Sequence, residues 1–488
     1  MCALQEQKTP GRHAIGEITM STSLMNADRL SRNQLGLPQI VASTLANIAP
    51  AVSFYFGFGV IVGGAGVAAP LTIVVAMVVV LFLSNTLAEF SKYRPSTGSF
   101  VTFIGMAFGP TAGAAASLFT VVGYAVAAAA IVAISGGWAH DTIKLYFGLN
   151  IPWQLLCILA TGICGFLVAR GVKISTTWAA IFFYFELTLL LIGAVVMLVV
   201  NWQSLSWAPF LPSNLSGGLA GVGLGFPLAI YAFVGWENSA TLAEETSDPR
   251  RNIPRALVIG TIAIGIVYVF LAYATEIAFH NDAKAIGNST LPYIDALKSS
   301  AAGLVIVAYL AGMTSIFSCL LGLTNSQARI LFSAGREGLL PVFFGKIHPQ
   351  HKTPHVAMWA YILTALAITL LCWNLDPVTI FGDTGTLGTI PIIMVYLATT
   401  IALPVYILRF HKADFSIMKH GVIPVLGVIL TLFPLWGLVQ PGQPAPFNIY
   451  PAMAGVGLVV AIIYGIILAR RMPDLVQRIG SYVADEDY

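Results

Sequence analysis

The sequence predicts an all-α membrane protein of about twelve transmembrane helices, and three observations carry that prediction. Of 488 residues, 57% are hydrophobic and only 9% charged, whereas an average soluble domain carries roughly 25% charged residues. Apolar runs of about 18 residues or more recur along the chain, each sufficient to cross a hydrocarbon layer of roughly 30 Å as a helix. Lys and Arg gather in alternate connections, which gives the spans a direction.

In order, the spans are expected near residues 39–64, 70–90, 110–135, 152–170, 178–200, 218–243, 254–279, 301–327, 356–373, 378–405, 421–438 and 450–469. Residues 1–37 are polar and mixed in charge, with no apolar stretch followed by a small-residue cleavage site. They are expected to form a tail, and the first span to direct insertion. With that tail in the cytoplasm, 21 of the 24 Lys and Arg lie in cytoplasmic segments, and the outer connections keep only Lys144, Lys284 and Lys298. The flipped orientation would violate the positive-inside tendency. A multi-pass protein of a plasma or bacterial inner membrane is therefore expected, with both termini cytoplasmic. The net charge of +3 reports orientation and gives no reason to expect nucleic acid. No linker rich in Pro, Ser or charge interrupts residues 38–470, so they are expected to form one membrane domain, followed by a tail over 471–488 that ends Asp485-Glu486-Asp487.

The first and sixth spans are interrupted, and they open two five-helix blocks. In the first, Asn47-Ile-Ala-Pro-Ala51 places Pro50 mid-span, where its ring frees a carbonyl of the preceding turn, with Gly57, Gly59, Gly63 and Gly64 downstream. In the sixth, Gly221, Gly223, Gly225 and Pro227 precede Phe233-Val-Gly-Trp-Glu237. Gly and Pro are common in membrane helices, where they also serve close packing. Matched breaks in corresponding segments of two halves point instead to a transporter site built from discontinuous helices. Half-helix amino termini offer amides to a carboxylate, and half-helix carboxyl termini offer carbonyls to an ammonium or small cation. An amino acid zwitterion matches both. No Lys or Arg falls in the interior of any expected span, so an anionic group would rely on backbone donors, and Pro50 removes one.

Two acids fall deep in the spans: Glu186 midway along the fifth, among Phe182, Phe183, Phe185 and Leu187, and Glu237 at the sixth break. A buried carboxyl is readily protonated, which suits proton coupling. Glu237 could also bind a substrate amine. Glu89 sits at a span end, where pairing with Lys92 or Arg94 is expected. Cys157, Cys164, Cys319 and Cys372 lie in apolar runs and are expected as buried small hydrophobes, with no disulfide. His348, His351 and His355 share a basic loop without Cys or acids nearby, so no metal is expected there. Asp376 and Asp383 flank the start of the tenth span as loop residues. There is no phosphate-cradling loop and no readable nucleophile, base and oxyanion set. No cofactor, enzymatic activity or obligatory protein partner is expected. The expected partners are a small-molecule amino acid or amine, protons and membrane lipid.

Three stretches carry a resemblance: Phe233-Val-Gly-Trp-Glu237 through Ala243-Glu-Glu-Thr-Ser-Asp-Pro-Arg-Arg-Asn-Ile-Pro-Arg255, Glu89-Phe-Ser-Lys-Tyr-Arg-Pro-Ser-Thr-Gly-Ser99, and Asn325-Ser-Gln-Ala-Arg329 through Gly335-Arg-Glu-Gly-Leu-Leu-Pro341. Together they resemble the amino acid–polyamine–organocation superfamily over about residues 35–410. The resemblance implies the leucine-transporter fold, with two inverted five-helix repeats (about 38–200 and 218–405) and two extra helices (about 421–469). It further implies secondary active uptake or exchange of amino acids or amines. By position, Asn47, Ile48, Ala49, Pro50, Ala51 and Val52 would line the substrate site from the first helix. Tyr231, Phe233, Val234, Gly235, Trp236 and Glu237 would line it from the sixth, with Tyr231 or Phe233 as an aromatic lid, and Tyr124 would contribute from the third.

Two departures from the family pattern bear on chemistry. Ala49-Pro-Ala-Val52 replaces a Gly-Ser-Gly type break and is similar to a branch that includes putrescine importers, which keeps amines beside amino acids as substrates. Glu186 falls where some proton-coupled relatives carry a Lys between the first, fifth and eighth helices. Neutral at rest and charged on release is the natural cycle of an acid there, so proton symport is expected over sodium. A channel is the competing class, and the absence of a repeated polar pore stripe argues against it.

Overall fold

The computed structural model describes residues 30–216, 226 and 228–484. Gly221, Gly223, Gly225 and Pro227, Cys2 and the Asp485-Glu486-Asp487 end lie outside them. The helices are α1 (Leu37–Ile48), α2 (Pro50–Ala65), α3 (Ala69–Tyr93), α4 (Phe100–Phe108), α5 (Pro110–Phe147), α6 (Trp153–Ala169), α7 (Val172–Val200), α8 (Asn238–Thr241), α9 (Pro249–Ala278), α10 (Ala283–Asn288), α11 (Pro292–Ala301), α12 (Val305–Glu337), α13 (His355–Leu371), α14 (Pro377–Phe410), α15 (Ile423–Val439), α16 (Tyr450–Arg471) and α17 (Leu475–Arg478). Proline opens α2, α5, α9, α11 and α14, at the one helical position where a missing N–H costs nothing and the fixed φ suits the turn. Gly148 and Gly338 close α5 and α12 in the left-handed region, which a residue without Cβ enters freely.

Eight helical segments are long and apolar enough to cross a membrane, and α6 and α13 are shorter apolar helices of 17 residues. At about 1.5 Å per residue these two reach roughly 25 Å. The expected first and second spans run on from Pro50 to Tyr93 and are separated only by a 3-10 turn at Gly66–Ala68, where Gly66 has φ 68°. α2 and α3 touch on either side of this turn. The expected sixth span is not a continuous helix: residues 228–231 are helical, 232–237 form turns, and the four-residue α8 follows.

Both described ends of the chain lie at one end of the molecule. Residues 34–35 bond to the backbone of Glu245 and Ser247, Glu245 pairs with Arg329 and Glu244 with Arg336, and Arg336 covers the Tyr482 ring at 3.9 Å. At this end Arg329 is 1% exposed and grips both carboxylate oxygens of Glu245, at 2.5 and 2.9 Å. Glu89 pairs with Lys92 at 2.6 Å, as expected, and also with His420 at 3.3 Å.

The interior is small and polar where helices meet. Thr44 bonds Ser239, Ser84 bonds Thr261 and Ser175 bonds Asn325, each across two helices at 2.6–3.1 Å. Large apolar side chains such as Ile158, Phe166, Tyr184, Phe185, Val456 and Val459 point outward and are exposed. That inverted pattern suits lipid, which gives helices no hydrophobic reason to associate and leaves close packing and interhelical hydrogen bonds to hold them.

Candidate functional site

The two breaks meet. α1 stops at Ile48, Ala49 takes φ 55° and ψ 68°, and α2 starts at Pro50. Left-handed backbone at a residue with a Cβ is strained by about 1–3 kcal/mol and persists only where the surroundings over-determine it. Those surroundings are Gly235 and Gly322. A Cβ added at Gly235 would come within 3.0–3.1 Å of Asn47, and one at Gly322 within 2.8 Å of Asn47 Cα and Cβ. Gly235 has φ 108°, its carbonyl accepts from Asn47 Nδ2 at 3.3 Å, and the first break is clamped between the sixth break and α12.

The backbone groups freed by the breaks find partners within the protein. Ala46 O accepts from the Ala49 amide, Asn47 O from the Cys319 thiol at 3.2 Å, and Ile48 O from the Ser53 hydroxyl at 2.8 Å. The Val52 amide reaches Ser315 Oγ at 3.4 Å, and the Gly235 amide donates to Glu237 Oε2 at 3.0 Å. Tyr268 donates to Ala232 O at 2.8 Å.

A cavity opens beside the junction, with about 70 Å³ for the centres of water-sized molecules, the scale of a compact solute. Of the residues expected at the site, Asn47, Ile48, Ala49, Val52, Tyr124, Tyr231, Val234 and Gly235 line it. Pro50, Ala51, Phe233, Trp236 and Glu237 are buried around it but do not line it. Phe233 packs edge-on against Tyr268 at 5.5 Å and Trp236 against Tyr396 at 5.7 Å, so of the two expected lids only Tyr231 faces the cavity. Tyr231 and Phe381 also line a second pocket of about 230 Å³ with Val60, Leu228 and Val378. These two rings form the wall between the pockets. Sequence reasoning missed Ser53, Cys319, Leu323, Gln327, Tyr361 and Phe381. The four-residue spacing of Cys319, Leu323 and Gln327 was a signal for one helix face, although the rotation of that face was not readable.

Glu237 sits one hydroxyl away from the cavity. Its Oε1 accepts from Tyr124 at 2.5 Å, and Tyr124 lies 3.3 Å from the Tyr396 hydroxyl. Both carboxylate oxygens therefore have partners, and among the described residues no charged side chain lines the cavity. Glu186 differs. It is fully buried on α7, neither oxygen makes a close hydrogen bond among the described residues, the Ser315 hydroxyl is the polar group beside its carboxyl, and Tyr55, Tyr268 and Cys319 lie within electrostatic range. Ser315 thus stands between Glu186 and the Val52 amide of the first break. Another buried acid, Glu276 on α9, also lacks side-chain hydrogen-bond partners among the described residues and does not line the cavity.

Residues 35–464 match the amino acid permease family model. The chain belongs to that family. The permease is 26% identical over 402 residues to the branched-chain amino acid permease BcaP of Bacillus subtilis, covering 77% of this chain and 82% of the relative. It is 24% identical to the methylthioribose transporter of the same organism, covering 77% and 82%. It is also 24% identical to the low-affinity putrescine importer PlaP of Escherichia coli K12, covering 73% and 78%. The superfamily resemblance carried by the three motifs is thus borne out, and the chain is a multi-pass membrane permease rather than an enzyme.

Proposed function

We propose that the permease is a proton-coupled amino acid symporter working by alternating access, with twelve crossings arranged as two inverted five-helix repeats plus two, and both termini in the cytoplasm. The observation that carries this reading is the clamped junction of the two breaks around a cavity, with unpartnered Glu186 behind Ser315. A neutral Glu186 tolerates that buried position, whereas an ionised one needs water or a cation and favours opening of the junction. Proton binding and release at Glu186 would then bias the two states, which is what coupling requires. The Tyr231–Phe381 wall acts as the gate toward the second pocket, and the Glu245–Arg329 and Glu244–Arg336 pairs close the end that carries the termini. The expected site residues enter this proposal in two ranks. Asn47, Ile48, Ala49, Val52, Tyr124, Tyr231, Val234 and Gly235 touch substrate, while Pro50, Ala51, Phe233, Trp236 and Glu237 hold them in place.

The putrescine importer among the relatives makes an amine the second reading. A dication would call for a carboxylate facing the cavity, and Glu237 is turned to Tyr124 and Gly235 instead. Amino acids are therefore favoured. Purified protein titrated with single amino acids and with putrescine should rise in unfolding temperature with amino acids, because a ligand bound only by the folded state stabilises it. Stabilisation by putrescine alone would reverse the assignment, and a response to neither would refute it.

A further inference from the structure

One buried polar group at the cavity has no partner. Gln327 lies on α12 at four-residue spacing below Cys319 and Leu323, is 3% exposed, and lines the cavity with them. Its Nε2 makes a long bond of 3.4 Å to Ser326 Oγ, a hydroxyl already engaged by Thr241 at 3.2 Å. Its Oε1 has no hydrogen-bond partner among the described residues. Buried side-chain carbonyls are nearly always paired, and this unpaired one, itself shielded from water, belongs to a residue that lines the cavity, where a modest turn of the side chain would present it to a donor on the cavity's occupant.

We infer that Gln327 is a specificity-determining residue, and that its Oε1 accepts a hydrogen bond from a hydroxyl or amide on the side chain of a small neutral amino acid. The inference rests on the amino acid reading above and narrows it. Three features select the class. Among the described residues no charged side chain lines the cavity, so a cationic or anionic substrate side chain would find no counter-charge there. A cavity with only about 70 Å³ for the centres of water-sized molecules favours a compact solute. The rest of the wall near Gln327 is apolar or already bonded: Leu323 offers no polar atom, the Cys319 thiol is spent on Asn47 O, and the Tyr361 hydroxyl donates to Tyr124 O at 3.1 Å. A site that hydrogen-bonds a substrate group discriminates against the isostere lacking it, because the buried acceptor is then left unpaired. Threonine is therefore preferred over valine, and asparagine over leucine.

Competitive uptake into liposomes carrying the full-length protein tests this with those two isosteric pairs. The wild type should favour threonine over valine and asparagine over leucine by about threefold to tenfold, the worth of one neutral hydrogen bond. Gln327→Met, which keeps the volume and removes the acceptor, should bring both ratios to about one. Gln327→Glu, which keeps an acceptor, should retain the preference and decides the matter if the Met variant does not fold. Wild-type preference for valine or leucine, an unchanged ratio in Gln327→Met, or loss of preference in Gln327→Glu would overturn the inference while leaving transport standing. Uptake of no amino acid at all would instead refute the amino acid reading and the inference with it.

Discussion

If the junction of the two breaks is the binding site, crowding it should weaken substrate binding without unfolding the bundle, and Gly322→Ala is the smallest change that does so. The added methyl would fall 2.8 Å from Asn47 Cα and Cβ and 3.1 Å from its amide nitrogen. Carbon atoms pack comfortably at about 3.5–4.0 Å, so α12 and the first break must part by up to about 1 Å. The obstruction is backbone and Cβ, which have no rotamer to yield. Overpacking of this kind costs about 1–3 kcal/mol. Where that cost falls on the closed, substrate-holding arrangement, affinity drops by about 5- to 150-fold. Gly57→Ala on α2 is the matched control: Gly57 is buried too, but its added Cβ meets nothing within 4 Å, and an alanine there gains up to about 1 kcal/mol of helix propensity. Titrating each variant with substrate and following its unfolding temperature gives both affinities. Gly322→Ala binding within twofold of wild type would show that the contact between the breaks does not shape the site.

Other outcomes follow from the same geometry. Glu186→Gln, permanently neutral in a place where the carboxyl has no partner, should preserve substrate exchange and abolish accumulation driven by a pH gradient; unchanged accumulation removes Glu186 from coupling. Arg329→Ala strands Glu245 as a buried charge at 1% exposure, a loss of about 3–5 kcal/mol, so the folded yield after extraction should collapse and should recover when Glu245→Gln is added. Failure of the second change to rescue would mean that Arg329 matters through its bonds to Asn325 instead. Asp376 caps α14 by accepting from the Val378 and Thr379 amides at 3.0 Å, and the Thr379 hydroxyl beside it holds its carboxyl below the usual range. A depressed folded pKa stabilises above the unfolded value of about 3.9 and is lost as pH falls through the lower folded value. Asp376→Ala should therefore lower stability by about 1 kcal/mol at neutral pH and flatten that acid-side loss; equal acid sensitivity in the variant would exclude the cap as its source.

The breaks were legible because Pro50 and Gly235 act through local backbone chemistry that needs no knowledge of neighbours. Which side chains they aim into the cavity was not. Tyr231 and Phe233 lie two apart at the start of a turn, where no helical period assigns a face, and only Tyr231 points inward. Glu237 was visible as an acid at a break, yet its engagement by Tyr124 from α5 depends on how two distant helices pack. Glu186 looked enclosed by Phe182, Phe183 and Phe185, but on the helix Phe183 shares its buried face while Phe185 points outward at 46% exposure. In a soluble helix the polar residues would have marked the outer face. Here lipid-facing and core-facing positions are both apolar, so amphipathic period carries little information. The same loss hid Tyr361 on α13 and the Cys319–Leu323–Gln327 face of α12, because nothing in those apolar runs says which way the face is turned. Hydropathy separates two runs at Gly66–Ala68, and there the backbone passes through a single 3-10 turn.

Proton-driven accumulation tests the central claim most directly. Liposomes carrying the purified permease, loaded at pH 8 and diluted into about pH 6, should concentrate labelled threonine above its external level and lose the gradient when a protonophore is added. Equilibration to the external level and no further, with the pH gradient intact, would contradict proton coupling through the clamped junction.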